Sequence, residues 1–162
     1  MSPIRPTKKA TPEQALQQLK HFCGFRERCH KEVREKLRSI GIWGADQEEI
    51  LSKLIEEDYL NEERFARLFS GGKFRVNKWG RNRIRYELKQ KRVSDYCIRK
   101  GLEEIDEEEY EKVLVRLAAG KYKALTGPDA MRRQKTQVYL MGRGFEPELI
   151  KTALHSALSE GE

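Results

Sequence analysis

Apolar residues recur along this chain three, four or five positions apart with polar residues between them, which places them on single faces of helices and gives no strand a period to follow. Thr11-Pro12-Glu13-Gln14 is a capping-box start, and Ala15, Leu19 and Phe22 follow on one face. A second helix is predicted from about residue 27 to 39, with Val33 and Leu37 one turn apart and Gly41 as its stop. Asp46 with Glu49 is expected to cap a third, which carries Ile50 and Leu54.

The same order of elements returns twice. Asn61 caps a helix bearing Phe65 and Phe69, residues 81–91 carry Ile84 and Leu88, and Ser94 opens a helix with Ile98 and Leu102. Asp106 with Glu109 then starts a helix with Tyr110, Leu114 and Leu117. Gly127-Pro128-Asp129 restarts the chain for a helix ending at Leu140 and Met141, and Pro147 begins a last one with Ile150 and Leu154. Leu37 to Ile42, Leu88 to Val93 and Leu140 to Phe145 are each five apart, which registers the units on one another. Ile42 to Ile50 is eight where the other units have five, an insertion of three near Trp43-Gly44-Ala45. The fold expected is all-α, an elongated array of three tandem three-helix repeats at 11–60, 61–105 and 106–159, behind a disordered basic tail at 1–10. Units of this size have marginal cores alone, so neighbours should lean on one another.

Composition agrees with thin helical units: 162 residues, 38% apolar and 36% charged. No apolar run approaches the ~20 residues of a membrane span, and no signal peptide is evident, so a cytoplasmic protein without membrane contact is expected. An odd three cysteines without framework spacing fit a reducing compartment. Cys23, Cys29, His21 and His30 lack the two converging pairs that zinc requires. With no phosphate-binding loop, nucleophile elbow or metalloprotease motif, neither an enzyme nor a cofactor is expected.

Charge changes the picture most. Residues 73–100 hold eleven Lys or Arg against two acids, a net of +9 that exceeds the +7 of the whole chain. The positive charge is therefore local, and it points to a polyanionic partner. The candidate contacts are Lys78, Arg81, Arg83, Arg85, Lys89, Lys91 and Arg92, with Arg143 on the glycine-flanked turn Gly142-Arg143-Gly144. On a helix, Lys78, Arg81, Arg85, Lys89 and Arg92 share a broad side while Arg83 points elsewhere. If that side is free, charge reversal at Arg81 and Arg85 should spare the fold. Phe74, Trp79 and Tyr86 lie between these cations and either stack on a partner or pack in a core. The acids from Glu103 to Glu111 either favour a helix N-terminus or meet basic groups of a partner or adjacent repeat.

Arg64-Phe65-Ala66-Arg67, Arg83-Ile84-Arg85-Tyr86-Glu87-Leu88, Asp106-Glu107-Glu108-Glu109-Tyr110 and Tyr139-Leu140-Met141-Gly142-Arg143-Gly144-Phe145 resemble, in this order, motifs of the RecX regulatory proteins. The resemblance covers residues 13–158. It implies a bacterial cytoplasmic protein that binds the RecA recombinase filament on single- or double-stranded DNA, lies along its groove and suppresses ATP hydrolysis and strand exchange; a monomer is expected. The chain departs from the pattern in three places. Arg26-Glu27-Arg28-Cys29-His30 replaces a more basic lead into the second helix, Lys91-Arg92 replaces a Lys-Gly, and Ser70-Gly71-Gly72 replaces a more helical run and is expected to kink or shorten its helix. The rival reading is a stand-alone DNA-binding protein with helix-turn-helix-like units, residues 81–91 serving as recognition helix.

Overall fold

Nine α-helices make up the regular structure of residues 10–159, the part of the chain that the computed structural model describes: α1 (Pro12–Phe25), α2 (His30–Ser39), α3 (Gly44–Glu56), α4 (Glu62–Asn77), α5 (Arg81–Gln90), α6 (Asp95–Leu102), α7 (Glu107–Ala124), α8 (Asp129–Gly142) and α9 (Pro147–Ser159). The predicted caps form at α1, α4, α6 and α7, where the side chains of Thr11, Asn61, Ser94 and Asp106 each accept from a backbone N–H three residues on. Helices pack chiefly within the triplets α1–α3, α4–α6 and α7–α9, which gives the expected all-α tandem array of three-helix units. The expected basic tail lies outside the described residues except for Ala10, whose N–H donates to the Ile40 carbonyl.

Two cores serve the three units. Ala15, Leu19, Val33, Leu37, Ile42, Ile50, Leu54 and Leu60 close the first unit on itself. A second, continuous core joins units two and three through Phe65, Phe74, Ile84, Leu88, Ile98, Tyr110, Leu114, Leu140, Phe145 and Ile150. Phe74 packs tilted against Tyr110 at 5.6 Å between centroids, and Tyr110 against Phe145 at 5.3 Å, so an aromatic row runs across that boundary. Each fully buried side chain of this size contributes about 1.5–3 kcal/mol.

Three local expectations are corrected. The second helix starts at His30, because Cys29 is extended and buried and the Glu32 carboxylate accepts its N–H at 3.2 Å. The third starts at Gly44 rather than behind an Asp46 cap, with Trp43 as the extended residue before it. α4 continues unbroken through Ser70-Gly71-Gly72, since the small residues Ala66 and Ser70 are buried on it and a Cβ on Gly101 of α6 would come within 2.6 Å of the Ala66 carbonyl oxygen. Close helix contact outweighs the propensity cost of the two glycines, about 1 kcal/mol each.

Burial also sets the cysteine chemistry. Cys29 is sealed in the joint core and Cys23 in the first, and burial pushes both thiols up to about 11, while Cys97 is half-buried. The folded state holds these thiols protonated; the stability this contributes is full below pH 9 and falls as pH rises toward 11. At pH 8 a thiol reagent is expected to modify Cys97 first and the other two only as fast as the chain opens. Equal rates for all three would contradict the packing.

Candidate nucleic-acid and partner interface

The N-terminus of α5 has no side chain to cap it, because its N-cap is Gly80. Three donors there must be satisfied from elsewhere. The third unit supplies all the acceptors: Gly80 N–H donates to the Arg143 carbonyl at 2.8 Å, Arg81 N–H to the Tyr110 hydroxyl at 3.1 Å and Asn82 N–H to the Gly144 carbonyl at 2.9 Å. The Tyr110 hydroxyl in turn donates to Glu146. From the other side, the Arg143 guanidinium donates to the Lys78 carbonyl at 3.3 Å and to that of Asn77, covering the C-terminal end of α4.

Arg81 completes this joint. Its guanidinium donates to Glu146 at 2.8 Å and to Glu107 at 2.7 Å, and lies over the Tyr110 ring at 4.0 Å. Burial opposes its charge, but the two carboxylates more than offset this and raise its pKa. Burial and the bond to Glu146 likewise push the Tyr110 hydroxyl up. The expected partner-facing pair of Arg81 and Arg85 is therefore divided: Arg81 is spent between repeats and Arg85 is not. Arg143, expected to reach a partner, is committed in the same way, and Glu107 meets an adjacent repeat.

The remaining candidates sort by what they touch. Lys78 is left-handed at φ 55° and donates to the Arg75 carbonyl. Arg83 lies over the Trp79 ring at 4.2 Å. Phe74 is core and Trp79 packs against Phe69, so of the three interleaved aromatics only Tyr86 is exposed. Arg85 bonds only Asn82, and among the described residues Arg83, Arg85, Lys89, Lys91 and Arg92 enter no ion pair. Arg85 and Lys89 are one turn apart on α5, and Arg92 lies just past its end, exposed and left-handed at φ 59°.

The joint between units one and two is built differently. His30 stands at the first position of α2 as Arg81 does on α5, and Glu62 opens α4 as Glu107 opens α7; His30 Nδ1 lies 3.3 Å from Glu62. Arg64 donates to Glu27 at 2.6 Å and Lys31 to the Gln90 carbonyl at 3.2 Å. Where Gly80 and Gly144 bring two backbones together, this joint opens instead into a hollow of about 330 Å³ lined by His30, Lys31, Arg34, Glu35, Arg38 and Arg92. Sequence reasoning missed the α2 side of it, because Lys31, Arg34 and Arg38 are diluted by acids along the chain.

Among the described residues no helix is long and apolar enough to cross a membrane, and no group of His, Cys, Asp or Glu converges as a metal site. Residues 61–102 match the second three-helix domain of RecX and residues 107–154 the third. The regulatory protein RecX of Prosthecochloris aestuarii is 32% identical over 145 residues, covering 90% of this chain and 94% of its own length. That of Lactobacillus johnsonii is 34% identical over 155 residues, but there the match spans only 55% of the relative. In fold, the crystal structure of RecX from Lactobacillus salivarius superposes with a TM-score of 0.81 at 23% identity, over 90% of this chain and 96% of that one. The two domain matches take up more than half of the chain and meet across the joint that Arg81, Tyr110 and Glu146 hold together: the chain belongs to the RecX family.

Proposed function

We propose that this protein binds the RecA–DNA filament and lowers its ATP hydrolysis and strand exchange, with DNA phosphates held by the second unit and recombinase subunits by the first and third. The observation that carries this reading is the segregation of charge in a RecX-family array. On unit two Arg85 and Lys89, one turn apart on α5, and Arg92 just past its end enter no ion pair among the described residues, while Arg81 and Arg143 hold the array to its neighbour. Weak contacts spread along tandem units gain affinity on a repeating partner and lose it with salt.

The helix-turn-helix rival places the N-terminal residues of its recognition helix against base edges. In α5 the Arg81 side chain is paired with Glu107 and Glu146, and the Gly80, Arg81 and Asn82 N–H groups already donate to unit three, which leaves that mode fewer groups at the helix start.

The test is RecA ATPase on single-stranded DNA at ~150 mM salt, with binding to bare DNA measured beside it. The wild-type chain is expected to slow hydrolysis and to favour the filament over bare DNA. Arg85→Glu with Lys89→Glu is expected to weaken inhibition by about tenfold or more while leaving the melting curve in place, as surface changes usually do. Undiminished inhibition by that folded variant would discard the α5 face. An ATPase indifferent to the wild-type chain would discard the regulator reading.

A further inference from the structure

The three repeats place a left-handed residue at one equivalent position, just before the apolar residue that follows α2, α5 and α8: Gly41 at φ 87°, Arg92 at φ 59° and Gly144 at φ 98°. Two of the three use glycine, the residue without a steric penalty there. The middle unit carries an arginine instead, which is strained at its backbone and forms no ion pair among the described residues. Its backbone closes the end of α5, as the Arg92 N–H donates to the Lys89 carbonyl and the Val93 N–H to that of Leu88. Asp58 and Lys78 share the left-handed backbone, and Arg92 differs from them in lining a hollow between two units.

Its surroundings say what kind. Arg92 lines the hollow between the first and second units together with Lys31, Arg34 and Arg38, against the one acid Glu35. Arg34 is held by Glu48 at 2.9 Å, and Lys31 reaches the Gln90 carbonyl and, at 4.0 Å, Glu35. Among the described residues Arg38 bonds only the neutral Gln47, and it lies 5.5 Å from the Trp43 ring. Among the described residues Arg38 and Arg92 are thus two guanidinium groups, one from each unit, that pair with no carboxylate.

We infer that this inter-repeat groove is a phosphodiester-binding site, in which Arg92 from unit two and Arg38 from unit one grip the backbone of a DNA strand that runs on past Lys89 and Arg85. This deepens the phosphate part of the proposed function by bringing the first unit into contact with nucleic acid. A row of cations one turn apart suits a chain of regularly spaced anions, and backbone contacts of this type need no base-specific geometry. The lining holds no apolar side chain to anchor an acidic protein segment, as a protein interface would require. The same groove explains why joint one–two lacks the backbone-to-backbone closure of joint two–three: the arginine takes the place of the glycine that permits it.

The experiment uses the full chain, a fluorescently labelled oligothymidine read by anisotropy across a salt series, and the variants Arg92→Asn, Arg92→Gly and Arg92→Lys. Asparagine and glycine keep the left-handed backbone while removing the charge, so melting temperatures are expected to stay within about 3 °C of wild type. Both are expected to bind about three- to tenfold more weakly and to lower the slope of log affinity against log salt by about one, with Arg92→Lys retaining the wild-type slope. Wild-type affinity and slope in Arg92→Asn would overturn the inference, as would Arg92-dependent binding of polyglutamate without Arg92-dependent binding of the oligonucleotide. The two readings fail separately: ATPase inhibition with an indifferent Arg92 discards the groove alone, and Arg92-dependent DNA binding without inhibition discards the regulator alone.

Discussion

Arg81→Glu is expected to cost about 3–5 kcal/mol of folding stability, whereas Arg85→Glu, one turn along the same helix, should change it by no more than about 0.5 kcal/mol. Arg81 is only 18% exposed and is sandwiched between Glu146 at 2.8 Å, the Tyr110 ring and Glu107 at 2.7 Å. The Glu107 pair contributes little, because that carboxylate is 63% exposed and water screens it. Glu146 decides the effect. It is 22% exposed, already accepts the Tyr110 hydroxyl, and after the substitution would face a second carboxylate in a space that admits little water. Urea unfolding of both variants provides the comparison, with Arg81→Gln expected to fall between them. Equal midpoints for Arg81→Glu and Arg85→Glu would show that the joint does not depend on this ion pair.

That contrast also locates what the sequence could and could not reveal. Helix number, the repeat register and most of the core were legible, because Ile84, Leu88, Ile98 and their equivalents follow the helical period and the caps at Thr11, Asn61, Ser94 and Asp106 are local signals. The start of α2 was not, since an apolar Cys29 reads as a helix residue until its burial in the neighbouring unit's core is known. Charge density on unit two was equally visible, but its division was not. The groups that neutralise Arg81 lie 26 and 65 residues away, and the carbonyls that occupy Arg143 lie 65 and 66 away, distances at which no periodicity operates. One signal was present: a glycine N-cap leaves the first donors of α5 without a local acceptor, so some other element had to arrive there.

That other element depends on glycine in turn, and Gly144→Ala is expected to cost about 3–5 kcal/mol. Gly144 sits at φ 98°, where a side chain is strained, and its added Cβ would stand 2.3 Å from the Arg83 Cβ and 2.5 Å from the Arg83 backbone nitrogen. Neither atom can yield as the tip of a flexible side chain could, since both belong to the first turn of α5. Moving that turn away would also release the Gly80 and Asn82 N–H donors from the Arg143 and Gly144 carbonyls, leaving polar groups unpaired where the units meet. Gly142 supplies the control two residues earlier. It ends α8 in open space with nothing within 4 Å of an added Cβ, so Gly142→Ala is expected to raise stability by up to ~1 kcal/mol. Opposite signs for these two alanines in parallel unfolding curves are what close backbone contact between units two and three requires. A Gly144→Ala variant as stable as Gly142→Ala would mean that the two turns do not meet in solution.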